Sequence, residues 1–105
     1  MTDIDRDQLY KRAIKQWGCE PQLRMAQEEA AELIVAVNHL LRGRGSRDGA
    51  LNALAEEVAD MEIMLGQLRR IADLGSRVDF LRSEKLRRLN ERLERAEKKG
   101  LGNGG

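Results

Sequence analysis

At 105 residues the chain makes at most one domain. With Lys+Arg at 19 against Asp+Glu at 18, its net charge of +1 gives no general attraction to nucleic acid or to an anionic membrane. The aromatics are Tyr10, Trp17 and Phe80 alone, so the interior must be Leu, Ile, Val, Met and Ala; Cys19 has no disulfide partner, and His39, the single histidine, excludes a Cys–His metal site.

The predicted elements are all helical. Helix 1 covers residues 4–17, opened by a Thr2 and Asp5 pairing of the capping-box kind and closed by Gly18. Helix 2 starts at Pro21, which suits a first helical position, and runs to about Leu41. A basic loop with three glycines, residues 42–49, leads to helix 3 over 50–73, which Gly75 stops. Ser76 and Asp79 open helix 4, which runs to Lys99 with Arg82, Leu86, Leu89, Leu93 and Ala96 in a coiled-coil seam. Residues 1–99 thus read as one all-α domain, and the glycine-rich 100–105 as a disordered tail. No stretch alternates long enough to be a strand. The first twenty residues hold no signal-peptide core, and no run approaches the ~18 apolar residues that span a bilayer. No membrane association and a cytoplasmic location are expected.

Helices 2 and 3 repeat each other. MAQEEAAELIVAV (25–37) and ALAEEVADMEIML (53–65) superpose with Glu28 on Glu56, Glu29 on Glu57 and Glu32 on Asp60. At 100° per residue, Leu23, Ala30, Ile34, Val37 and Leu41 form the main apolar stripe of helix 2, and Met25, Glu29, Glu32 and Ala36 a second one. In helix 3 the corresponding sets are Leu51, Val58, Leu65 and Ala53, Glu57, Asp60, Met64. An acid pair bounded by apolar residues on each of two helices points to helix–helix contact and not to water. Two carboxylates ~5 Å apart repel by about 3 kcal/mol at an effective dielectric near 20. Four of them need protons, basic side chains or a cation, and an all-oxygen donor set matches Mg²⁺ or Mn²⁺. The Glu-x-x-His pairs of a di-iron bundle are absent.

The pattern Glu29-x-x-Glu32, spacer, Glu57-x-x-Asp60, in the strings EEAAEL and EEVADMEIML, resembles the MazG-like family of all-α nucleoside triphosphate pyrophosphohydrolases, over about residues 17–93. The resemblance implies a four-helix bundle completed by dimerisation, as a homodimer or a homotetramer. It implies cleavage of a nucleoside triphosphate to monophosphate and pyrophosphate, with Mg²⁺ held by Glu29, Glu32, Glu57 and Asp60. Glu28 is implied as a further metal contact or as the group orienting the attacking water. Lys85, Arg88 and Arg92, with Asn90 among them, fall where the family binds phosphates, although basic residues on a charged helix also serve solubility alone. Trp17 and Gln22 fall where the family recognises the base, and core packing accounts for Trp17 equally well. Met25, Met61 and Met64 read as core, His39 as a surface or cap residue, and Cys19 as inert. The second reading is a non-enzymatic interaction module whose acidic seams pair with basic helix 4 or with a partner. Helices 2 and 3 each carry two stripes, more than one copy of the chain can cover, which independently favours an oligomer.

Overall fold

The computed structural model describes residues 4–104, with side-chain surroundings as far as residue 100. Four helices follow in order: α1 (Arg6–Trp17), α2 (Cys19–Arg42), α3 (Arg47–Leu68) and α4 (Leu74–Gly104). There is no strand among the described residues, and no helix is long and apolar enough to cross a membrane.

The ends of the helices follow their capping chemistry. Asp5 caps α1, its side chain accepting from the Gln8 N–H at 3.3 Å; the Thr2 half of the expected pairing lies outside the described residues. Gly18, at φ 91°, closes α1 and opens α2 in one residue. Helix α2 therefore begins at Cys19, two residues before Pro21. The proline is tolerated there because the first-turn N–H groups of a helix have no partner within it. Gly43, in the left-handed region, donates back to the His39 and Leu40 carbonyls and ends α2. Ser46 accepts from the Gly49 N–H at 3.0 Å, so α3 starts at Arg47 and not at Ala50.

Helix α3 stops at Leu68, short of the expected 73. Residues 69–73 form a turn with Ala72 at φ 49°, a conformation unusual for a residue with a Cβ. Gly75 lies inside α4 and does not end α3; a Cβ there would meet the Arg69 carbonyl oxygen at 2.9 Å. Asp79 serves no cap, because it holds the Arg69 and Arg82 guanidiniums at 2.5 and 3.2 Å. The backbone of 100–104 continues α4, past the Lys99 boundary that composition favoured.

Packing centres on the α2–α3 hairpin. Gln22, Ala26 and Ala36 of α2 and Met64 and Gln67 of α3 are buried, with Glu29, Leu33, Leu40, Ala50, Leu54, Glu57, Met61 and Leu68 half-buried on the same seam. The spacing is of the alternating 4-3 kind, so the hairpin packs like a short antiparallel coiled coil. This corrects the expected orientation. Leu23, Ile34, Val37 and Leu41 of the supposed main stripe are exposed, Ile34 by 62%, as are Leu51, Val58 and Leu65. Of the acid-bearing stripes, Glu29 and Ala36 of α2 and Glu57 and Met64 of α3 face inward, whereas Met25, Glu32, Ala53 and Asp60 are exposed. Of the methionines expected in the core, Met64 is buried and Met61 half-buried, while Met25 is exposed.

Helix α1 lies across the open end of the hairpin. The Tyr10 ring rests on Gly66, where a Cβ would run into it. Arg70 sits 5.1 Å from the Tyr10 ring centroid, donates to Asp7 Oδ1 at 3.0 Å and to the Gly66 carbonyl at 2.7 Å. Helix α4 does not pack along the hairpin. It leaves the 69–73 turn and carries exposed Phe80, Leu81, Leu86, Leu89 and Leu93. A single copy is thus a three-helix body with a projecting fourth helix, and does not by itself close a four-helix bundle.

Candidate metal centre

Glu29 and Glu57 occupy seam positions halfway along the hairpin, where a Leu or an Ala would ordinarily sit. With Asp60 at the edge of the seam, each offers one carboxylate oxygen, and these three oxygens lie within 4.8 Å of one another. Glu29 Oε2 and Glu57 Oε2 are buried and have no hydrogen-bond partner. Such orphaned acceptors are costly in a low-dielectric setting.

The electrostatics carry the same information. Burial, and then the negative charges of Glu32, Glu29 and Asp60, push the Glu57 carboxyl up to about 7. Burial, with the charges of Asp60 and Glu32, raises Glu29 as well. The field is uncompensated by bases, since no ion pair among the described residues reaches any of these acids. Residues 25–41 and 48–68 contain no Lys or Arg at all. The donor set is all carboxylate, hard and close-set, and it fits a divalent cation of the kind that takes oxygen ligands.

The other expected residues divide. Glu32 is exposed and not within the three-oxygen cluster, yet its charge acts on both Glu29 and Glu57. It lines an open groove of about 240 Å³ with Val35, Ala36, His39, Ala53, Glu56 and Glu57. Of the two doubled acids, Glu56 borders this groove, whereas Glu28 is exposed and outside both the groove lining and the cluster. Trp17 is 61% exposed and lines a second, larger groove of about 750 Å³ between α1 and α3, with Tyr10, Arg12, Ile63 and Gln67. Gln22 is 4% exposed and its Nε2 donates to Gln67 Oε1 inside the hairpin. It is a core residue and does not face the groove; the amide on the groove wall is Gln67. Lys85, Arg88, Arg92 and Asn90 are exposed on α4, and the single chain does not bring them to the acids. Asn90 donates instead to Glu94 on its own helix, at 3.2 Å.

Gln67, Glu56 and His39 thus line the grooves without belonging to the expected site; the sequence marks Glu56 only as a doubled acid and His39 as a surface or cap residue. The signal for Gln67 was a polar residue three positions after the inward-facing Met64, visible only once the inward stripe is known. Comparison of the chain with family models, with curated proteins and with solved structures found no match.

Proposed function

We propose that the protein is a divalent-metal-dependent nucleoside triphosphate pyrophosphohydrolase of the MazG-like kind, with Mg²⁺ as the natural ion and Mn²⁺ a working substitute. The observation that carries this is the pair of buried, unpartnered carboxylate oxygens on Glu29 and Glu57, converging with Asp60 in a groove-flanked seam. A stable fold does not retain such groups without something to compensate them. Glu29, Glu57 and Asp60 would hold the ion, with Glu32 beside them. A bound divalent cation supplies charge neutralisation on the phosphates and acidifies water.

The chain's own groups account for the rest of the reaction. Water adds to the α-phosphorus, the bond from that phosphorus to the bridging oxygen breaks, and pyrophosphate leaves with the electron pair. The carboxylates not engaged with the ion, Glu32 and Glu56, are the local acceptors for the water's proton. Trp17 offers a face on which a base stacks.

A second copy completes the site. Supporting this are the uncovered stripes of α2 and α3, the projecting α4, and the separation of charge between them. The middle of the hairpin carries only acids, while α4 carries Lys85, Arg88 and Arg92 beside an exposed leucine seam. Docked on a partner's hairpin, α4 delivers its cations to the partner's phosphates and covers apolar surface on both. The same observation favours the non-enzymatic interaction module, in which α4 neutralises the acids directly.

The two readings part on metal. Thermal melting with Mg²⁺ or Mn²⁺ should raise the Tm of an enzyme whose carboxylates await an ion, and Glu57→Gln should abolish most of that rise. A panel of ribo- and deoxyribonucleoside triphosphates with pyrophosphate detection should then identify a substrate. No metal response and no cleavage of any triphosphate would remove the hydrolase reading in favour of the interaction module.

A further inference from the structure

On α3, Ala53, Glu56, Asp60, Ile63 and Gln67 follow one another at 3-4-3-4 spacing and so share one face of the helix. That face joins the two grooves. The small groove, with His39, lies at the loop end; the larger one, with Trp17 and Gln67, lies at the α1 end; the acid cluster sits between them. At 1.5 Å per residue the run from Ala53 to Gln67 is about 21 Å long. It is a track with an aromatic end, an acidic middle and an end at which His39 stands among Glu32, Glu56 and Glu57.

His39 is the exception in the chemistry of the small groove. Every other polar side chain lining it is a carboxylate, and none of those donates a hydrogen bond when ionised. With no Lys or Arg in 25–41 or 48–68, His39 is the one side chain of this groove that donates to an anion in either of its protonation states. Its backbone is held as well, since its carbonyl accepts from the Gly43 N–H that closes α2.

We infer that His39 is a binding residue for the terminal phosphates of the triphosphate, donating an imidazole N–H to the β,γ-phosphate oxygens before cleavage and to the leaving pyrophosphate after it. The inference rests on the hydrolase reading above and extends it. With the base on Trp17 and the α-phosphorus over the acids, the same face of α3 carries the polyphosphate on into the small groove. The monophosphate product occupies the Trp17 end and the acids, and does not reach His39. His39 thereby makes the site prefer a triphosphate to a monophosphate, independently of which base is bound.

The test is calorimetric binding of inorganic pyrophosphate, and separately of a nucleoside monophosphate, to the Mg²⁺-loaded protein in wild type, His39→Ala and His39→Asn. His39→Ala should weaken pyrophosphate binding by about tenfold or more, the usual scale for a hydrogen bond to a charged group. It should raise the KM for the triphosphate while leaving monophosphate affinity and the Mg²⁺-induced rise in Tm at wild-type values. His39→Asn, which keeps a donor, should recover part of the loss. His39 is exposed, and an unchanged Tm verifies that each variant is folded. Wild-type pyrophosphate affinity in His39→Ala would overturn the inference while leaving the hydrolase reading standing. A wild-type protein that responds to Mg²⁺ but binds neither pyrophosphate nor any triphosphate would overturn both.

Discussion

Glu57 is the residue at which burial and charge compete most directly. Its carboxyl is pushed up to about 7 by burial and by the charges of Glu32, Glu29 and Asp60. Without metal, a proton on Glu57 donated to Glu29 is the means by which the pair lowers its own repulsion. Because the folded value lies above the ordinary 4.5, the folded state binds the proton more tightly than the unfolded chain does. The stabilisation is complete below about 4.5 and is lost as pH rises through about 7. In a chelator, the Tm should therefore fall between pH 5 and pH 8, and Glu57→Gln, which mimics the protonated form, should flatten that fall. Equal slopes in wild type and variant would show that Glu57 is not the titrating group. Added Mg²⁺ should stabilise the wild type most at the alkaline end, where the carboxylates are already ionised. At this scale the spacing of the two acid pairs anticipates that Glu29, Glu57 and Asp60 come together, but not that Glu32 stays outside their cluster. The sequence was a poor guide to Gln22 and Gln67, because a glutamine carries no mark of whether its amide is turned to a groove or to another glutamine.

Among the elements, α1 depends on a narrow contact. Tyr10 lies on Gly66, and the Arg70 guanidinium ties the Tyr10 ring, Asp7 and the end of α3 together. The Lys11 and Arg70 hydrogen bonds hold the Asp7 carboxyl below the usual carboxylate range. Gly66→Ala should push the tyrosine off its seat and destabilise the protein by about 1–3 kcal/mol, the scale of overpacking, with loss of amide protection concentrated in α1. In a Tyr10→Ala background the same substitution should cost far less; an equal cost in both backgrounds would place the strain elsewhere. The four helices themselves were legible from 3.6-residue periodicity and from Gly18, Pro21 and the 42–49 loop. Their inward faces were not, since α2 has apolar residues on nearly every side. The hairpin buries Ala26 and Ala36 and leaves Leu23, Ile34 and Leu41 out. Small side chains let two helices approach closely, and a ranking by hydrophobicity alone favours the bulky stripe instead. The start of α3 at Arg47 was missed because Ser46 caps it from within a stretch whose glycines read as loop.

For the whole molecule, the radius of gyration of 18.5 Å exceeds the ~13 Å of a compact chain of this length. With extents of 59 × 40 × 32 Å and large apolar residues exposed on all four helices, one copy leaves much of its hydrophobic surface in water. Light scattering should give a mass of at least twice the 11.9 kDa chain. Reversing charge at Lys85, Arg88 and Arg92 together should lower that mass if α4 docks on a partner's acidic hairpin, whereas an unchanged oligomer would assign α4 another role. What two copies would have to share is an alignment. Gln22 meets Gln67 in the same pairing that sets Glu29 beside Asp60, seven residues further along each helix in opposite directions. Slide α3 by one heptad and the leucines and alanines still interdigitate, but Glu29 faces Gln67 or Ala53 and the oxygens no longer converge. The two glutamines act as a registration mark: a buried polar pair that is satisfied in one alignment of the hairpin, and that excludes apolar-compatible alignments in which the three carboxylate oxygens lie apart.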